Sequence, residues 1–223
     1  MKTIALITAM SCEYDAIYSL YDFKEKDGIA KAEVYGLQII LLKSGIGKVN
    51  SALKTDFAIR QGAELVINTG LAGGIDDSLD QGDVVLATSS CYHDVWCGSP
   101  NSIGQVQDFP LYYDLEPSIK EVLQPKLKVL GFKMGLTVTG DQFLTDINRL
   151  KQIKSDFKEA LAVDMESASV AQTCYIHNIP YISLRIISDV VGKTSQMEQY
   201  ESFWQNMPKQ ASQMVDDLLK ALN

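Results

Sequence analysis

Ile4-Ala5-Leu6-Ile7-Thr8-Ala9, near the start of the chain, is an almost unbroken apolar run. It lacks the alternation of a half-exposed strand and fits a strand covered on both faces. Such strands belong to α/β sheets with helices packed on either side. The later segments agree with that class. Glu13–Leu20 reads as helix, and Lys31–Tyr35 with Leu37–Leu42 reads as a hairpin hinged at Gly36. Val49–Gln61 predicts a helix, Glu64–Asn68 a strand and Val84–Ala87 another. The pattern is lost between Ser90 and Pro117, a long stretch that suggests function or an interface. Helix (Ser118–Leu127), strand (Lys133–Val138), helix (Ile147–Lys154) and a short strand (Leu161–Val163) come next. An Ala- and Ser-rich helix (Met165–His177), a strong strand (Pro180–Ile187) and an amphipathic helix (Tyr200–Leu222) end the chain. The last is expected to break near Pro208. The expected fold is a three-layer αβα sandwich with a central mixed β-sheet, formed as a single domain over residues 1–223.

A domain of 223 residues buries enough surface to need no staples. Net charge is −8, and only Arg60, Arg149 and Arg185 are arginines. This argues against nucleic acid or an anionic membrane as partner, since both need clustered positive charge. Cys12, Cys91, Cys97 and Cys174 form no CxxC pair, and His93 and His177 are the only histidines. A zinc site is therefore not expected, and reduced thiols in a soluble cytoplasmic protein are. The apolar run at 4–9 is too short for a signal peptide, and no window has transmembrane length.

In open α/β sheets, ligands collect where strands end. The strand ends here lead to Met10-Ser11-Cys12-Glu13, Lys43–Lys48, Asn68–Gly74, Thr139–Leu144, Asp164-Met165-Glu166 and Ser188-Asp189. They supply several acids, several glycines and one aromatic ring, but no histidine. The glycine segments 44–48 and 70–74 match neither a P-loop nor a dinucleotide fingerprint and read as tight turns.

Together, Ile7–Met10 with Glu13, Lys43–Val49, Asn68–Gly74, Tyr92–Asp94, Thr139–Leu144, Val163–Glu166 and Arg185–Val190 resemble the 5′-methylthioadenosine/S-adenosylhomocysteine nucleosidases. That group lies within the nucleoside phosphorylase-like family, and the resemblance spans nearly the whole chain. It implies a nucleoside phosphorylase/hydrolase-like fold and hydrolysis of a purine–ribose bond without cofactor or metal. It further implies Glu13 as the base for water and Glu166 as the holder of the ribose hydroxyls. Asp189 becomes the acid to purine N7, and Arg185 helps hold Glu166 and the water. Phe143 would stack on adenine, the Leu144 backbone would read its edge, and Met165 would floor the ribose. Met10, Leu71, Ala72, Gly73, Ser188 and Tyr200 complete the implied substrate contacts. A homodimer is also implied, and the aromatic-rich segment Trp96–Tyr113 suits an interface.

The chemistry is coherent. An oxocarbenium-like state favours negative charge near the ribose, and a purine leaves only when protonated. An acid kept neutral by burial supplies that proton. Phosphorolysis is disfavoured, because the loop after the first strand, where phosphorolytic relatives typically carry an arginine, offers Ser11, Cys12 and the acid Glu13, and few arginines exist to clamp an anion. Each residue also has a plainer reading. Glu13 and Glu166 could be helix-start acids, Asp189 a cap, Phe143 core, and His93-Asp94 a loop hydrogen-bond pair. Arg185 interrupts an apolar strand and needs a buried carboxylate, for which Glu166 is the candidate. Leu71 stands where the family usually has serine, which suggests a weakened water site. Asp164 replaces a common glutamate, a change expected to matter little. The segment Val95–Tyr113 departs from the family, leaving open a different 5′ group (a futalosine-type substrate), and Leu71 leaves open a binding protein without turnover.

Overall fold

The computed structural model describes residues 2–193, 195–203 and 207–223. Its strands are β1 (Thr3–Thr8), β2 (Lys24–Lys26), β3 (Ile29–Val34), β4 (Leu37–Lys43), β5 (Leu65–Gly74), β6 (Val84–Tyr92), β7 (Tyr113–Asp114), β8 (Lys133–Thr139), β9 (Ala160–Asp164) and β10 (Tyr181–Val190). Its helices are α1 (Ser11–Tyr18), α2 (Lys48–Arg60), α3 (Pro117–Val129), α4 (Ile147–Asp156), α5 (Ser167–His177), α6 (Gln196–Phe203) and α7 (Met207–Leu222).

Alternation along β1 sets the layers. Ile4 and Leu6 enter one apolar cluster with Ile17 of α1, Leu123 and Leu127 of α3, and Val215 and Leu218 of α7. Ala5 and Ile7 enter another with Ala58 of α2 and Ala168 and Val170 of α5. Helices therefore cover both faces of one mixed sheet, as the period of two in a strand requires. The β3–β4 hairpin is antiparallel, and Tyr35 and Gly36 at its turn both have positive φ (51° and 73°). Two such residues in succession suit the twist of a tight hairpin.

The strand order is β10-β6-β8-β9-β5-β1-β4-β3-β2, with β7 paired to β6. β5 also pairs with β10, so β5, β10, β6, β8 and β9 close into a ring at one end of the sheet. Several strands run longer than their sequences suggest, among them β10, which continues past Ile187 to Val190. β5 continues through the glycine-rich segment 70–74, which is ladder rather than a tight turn. β6 continues through Thr88-Ser89-Ser90 to Tyr92, its polar residues held by parallel pairing with β8. The expected C-terminal helix is two helices, α6 and α7. The residues between them, 204–206, lie outside the described residues, and Pro208 falls in the first turn of α7, where a missing N–H is tolerated.

Candidate active site

Ring closure builds the site. Gly73 of β5 is paired with Val163 of β9 on one side and with Asp189 of β10 on the other. A Cβ at Gly73 would lie 2.9 Å from Val191 and 3.3 Å from Val163, so only glycine lets three strands meet here. Beside this junction lies a cavity of about 320 Å3. Every residue that the sequence assigned to catalysis or substrate contact lines it, with the exception of Arg185. Ala9, Ile46, Gln142, Val163, Asp164 and Val191 complete the lining. Phe143 and Tyr200 bring their rings within 5.0 Å, edge to face. The lining contains no Lys, Arg or His among the described residues.

Glu13 is 2% exposed in the first turn of α1. Its Oε2 accepts from the N–H groups of Ala9 (3.0 Å) and Met10 (2.9 Å), and Oε1 accepts from Leu71 N–H (3.0 Å). The helix-start reading and the pocket reading are thus both realised by one carboxylate. Burial raises its pKa above the usual carboxylate range, opposed by these N–H donors and by the Arg185 charge. Gly70 is required by this packing, since a Cβ there would sit 2.6 Å from Glu13 Oε1 and 2.9 Å from the Arg185 guanidinium. Because Leu71 reaches Glu13 through its main chain, replacing the family's serine leaves that contact in place.

Glu166 sits at the entry of α5 and accepts from Gly47 N–H at 2.9 Å. Burial raises its pKa, with the neighbouring Asp164 and Glu13 charges adding and Arg185 opposing. Asp189 follows a break in the β10–β5 register between Ile187 and Asp189, a bulge of the kind that re-aims a side chain. It accepts from Ser188 Oγ (2.6 Å) and Gln196 Nε2 (2.8 Å). Burial again raises its pKa, against both of these donors.

Arg185 lies behind the wall, 1% exposed, and its close partner is not Glu166. Its Nε donates to Asp164 Oδ2 at 2.8 Å, whereas Glu166 Oε2 is 3.9 Å from the guanidinium. The guanidinium also donates to Asn68 Oδ1 and, at 3.0 Å, to Ser167 Oγ. Asp164 in turn caps the start of α5, accepting from Glu166 N–H and Ser167 N–H (3.2 Å each) and from Thr139 Oγ1 (2.6 Å). The Asp164 replacement, expected to matter little, thus falls on the main counter-charge of Arg185. Asn68 and Asp164 lie in segments that carry the family resemblance but had no role assigned to them, and Ser167 lies just outside; the one signal for their role was a buried arginine in need of a partner.

His93 and Asp94 serve different loops. Arg149 donates to His93 O (2.6 Å), and a Cβ on Gly140 would collide with the His93 ring. Asp94 accepts from Lys48 Nζ (2.7 Å) and Asp141 N–H (3.0 Å), tying the segment after β4 to the segment after β8. Burial lowers the His93 pKa. The four cysteines are free thiols. No group of three His, Cys, Asp or Glu side chains among the described residues is arranged to hold a metal ion, and no described helix is long and apolar enough to cross a membrane.

The phosphorylase-superfamily profile matches residues 3–220. A 5′-methylthioadenosine/S-adenosylhomocysteine nucleosidase of Bacillus licheniformis is 34% identical, over 99% of both chains. The chain belongs to this nucleosidase family. Among solved structures, the S-adenosylhomocysteine nucleosidase of Streptococcus pyogenes in complex with 5-methylthiotubericidin superposes with a TM-score of 0.93 at 31% identity, covering 100% of this chain and 98% of that one. The futalosine hydrolase of Helicobacter pylori gives 0.88 at 26% identity, covering 98% and 97%. The protein is accordingly an enzyme of the nucleosidase type, and its fold is that of the nucleoside phosphorylases and hydrolases.

Proposed function

We propose that the protein hydrolyses the N-glycosidic bond of 5′-methylthioadenosine and S-adenosylhomocysteine, releasing adenine. The observation that carries this reading is the convergence of Glu13, Glu166 and Asp189 on one cavity whose lining holds no basic side chain among the described residues. Phosphate would find no counter-charge there, because the nearby arginine is committed behind the wall to Asp164, Asn68 and Ser167. Water suits an acid-lined site.

In this reading Glu13, made more basic by burial, takes a proton from water as its oxygen attacks C1′. The C1′–N9 bond breaks, its electron pair goes to the purine, and Asp189 supplies a proton to N7. Glu166 holds the ribose hydroxyls, and its charge faces the oxocarbenium-like centre. Acid and base help of this kind is worth about 10²–10⁴-fold each. Phe143 stacks on adenine, the Leu144 backbone reads its edge and Met165 lies under the ribose. Met10, Leu71, Ala72, Gly73 and Ser188 form the rest of the wall, and Tyr200 covers the 5′ side.

A cytoplasmic homodimer is part of the same reading. Val49, Leu53 and Phe57 form an exposed stripe along α2 at helical spacing, and Trp96 and Ile103 are exposed in the segment between β6 and β7. Light scattering that finds only monomer at working concentration would remove the dimer from the proposal. The decisive assay is adenine release from both nucleosides in phosphate-free buffer, measured by chromatography. No release from folded protein, with or without phosphate, overturns the hydrolase reading. Faster release of the purine from a futalosine-type nucleoside would instead reassign the 5′ preference.

A further inference from the structure

The carboxylate of Asp189 is held by two side chains, and one of them has no role in the proposed reaction. Gln196, at the start of α6, is 6% exposed and lies behind the cavity lining. Its Nε2 donates to Asp189 Oδ2 and to Leu144 O, at 2.8 Å each. Its Oε1 accepts from Gly192 N–H at 3.3 Å. These contacts fix which way the amide points. Leu144 O can only accept and Gly192 N–H can only donate, so a flipped amide would face oxygen with oxygen and N–H with N–H. Gln196 therefore always presents a donor to Asp189 and has no acceptor there for an acidic proton. Ser188, the other holder, differs: its hydroxyl has a second acceptor in Ala72 O at 3.3 Å and can turn away from Oδ1.

Nearby glutamines brace the same strand end after the bulge. Gln81 donates to Ser188 O (2.9 Å), and Gln199 accepts from Val190 N–H (2.9 Å). Those two hold main chain, whereas Gln196 holds a carboxylate. It also joins two residues of the pocket wall, Asp189 and Leu144, that come from different strand ends.

We propose that Gln196 is a positioning residue, which fixes the acid Asp189 against the purine-reading segment at Leu144 and directs the acid's proton into the pocket. The proposal rests on Asp189 being the proton donor. Glu13, Asp164, Glu166 and Tyr200 are other ionisable residues of the same cavity lining, so Asp189 must be followed directly. The probes are Gln196→Met, which keeps length and loses both donors, and Gln196→Glu, which keeps shape and adds a charge.

Each variant is compared with wild type for kcat and KM on 5′-methylthioadenosine across pH, and for the 13C-carboxyl titration of Asp189 in the empty protein. Asp189→Asn assigns the resonance. Losing a donor to the ionised form raises the Asp189 pKa, and a neighbouring carboxylate raises it further. Gln196→Met is expected to lower kcat by about 10–100-fold, the scale of a small misplacement of reacting groups, while KM changes less. The alkaline limb of kcat and the Asp189 titration should both move to higher pH. In Gln196→Glu the titration should move further in the same direction, which keeps the proposal testable should the methionine variant not fold. An Asp189 titration unmoved in the variants, or a kcat loss with an unmoved alkaline limb, overturns the proposal. If wild type releases no adenine, the assignment of Asp189 fails with it. If wild type is active, Asp189→Asn is not, and the Gln196 variants behave as wild type, only the role of Gln196 fails.

Discussion

Two clusters of buried charge meet at the pocket wall, and they are satisfied differently. In the first, Arg185 lies behind the wall and is paired at 2.8 Å with Asp164, which also lines the cavity, and Asn68, Ser167 and Thr139 supply further hydrogen bonds. Facing the cavity, Glu13, Glu166 and Asp189 are three acids held by backbone N–H groups and two polar side chains, with Arg185 3.9 Å from Glu166 and no cation in the lining among the described residues. Burial raises the pKa of all three. The first cluster holds β10, β9 and α5 together. The second retains the unfavourable free energy of desolvated carboxylates, which under the proposed reaction a developing positive charge on the substrate would relieve. Removing a member should cost stability in the first cluster and activity in the second.

The largest expected effect is on the cavity side. Asp189→Asn should lower kcat by about 10²–10⁴-fold while the protein still binds adenine, as measured by steady-state assay and calorimetry. Equal rates for wild type and variant would remove Asp189 as the acid. Behind the wall, Arg185→Met leaves Asp164 buried without its counter-charge and should destabilise by about 3–5 kcal/mol in urea unfolding. An unchanged midpoint would mean that the two clusters do not differ as described.

The pH dependence sharpens the contrast. Because the folded-state pKa values of the three acids are raised, the native protein binds more protons than the unfolded chain in the range above the ordinary carboxylate values. Their contribution to stability is present at low pH and is lost as pH rises through the raised values. Glu166→Gln keeps an acceptor for Gly47 N–H and removes one such group. Its melting temperature should exceed that of wild type near neutral pH, with the gap closing on acidification. A gap that stays constant with pH would show that the Glu166 charge is not the cause.

The smallest effect is expected at Leu71. Leu71→Ser keeps the main-chain donor to Glu13 and removes a partly buried side chain. A stability loss of about 1 kcal/mol with little change in kcat is expected. A large gain in rate would show that the serine hydroxyl supplies something the backbone does not.

Much of the fold is legible in sequence because it follows local periodicity. The run Ile4–Ala9, the hairpin around Gly36 and the amphipathic C-terminus all appear where pattern places them. The misreadings share one cause. Residues 70–74 look like a turn because glycine is rare in strands, yet here glycine answers to neighbours distant in sequence, Glu13 and Arg185 at Gly70 and Val163 and Val191 at Gly73. The closing of β5, β10, β6, β8 and β9 into a ring leaves no local trace either, since it depends on pairings between remote segments.

The sequence by itself determined the types of group at each strand end: acids at Glu13, Glu166 and Asp189, a ring at Phe143 and few arginines anywhere. Those follow from what stands after each strand-like run, and the family resemblance singled out these three acids among the others. Only the tertiary structure decided which charges meet. It made Asp164 the closer partner of Arg185, with Glu166 at 3.9 Å, turned the Leu71 backbone toward Glu13, and brought Gln196 from the following helix onto Asp189. The partner of a buried charge is set by which atoms converge across non-adjacent strands, and local sequence carries no record of that distance.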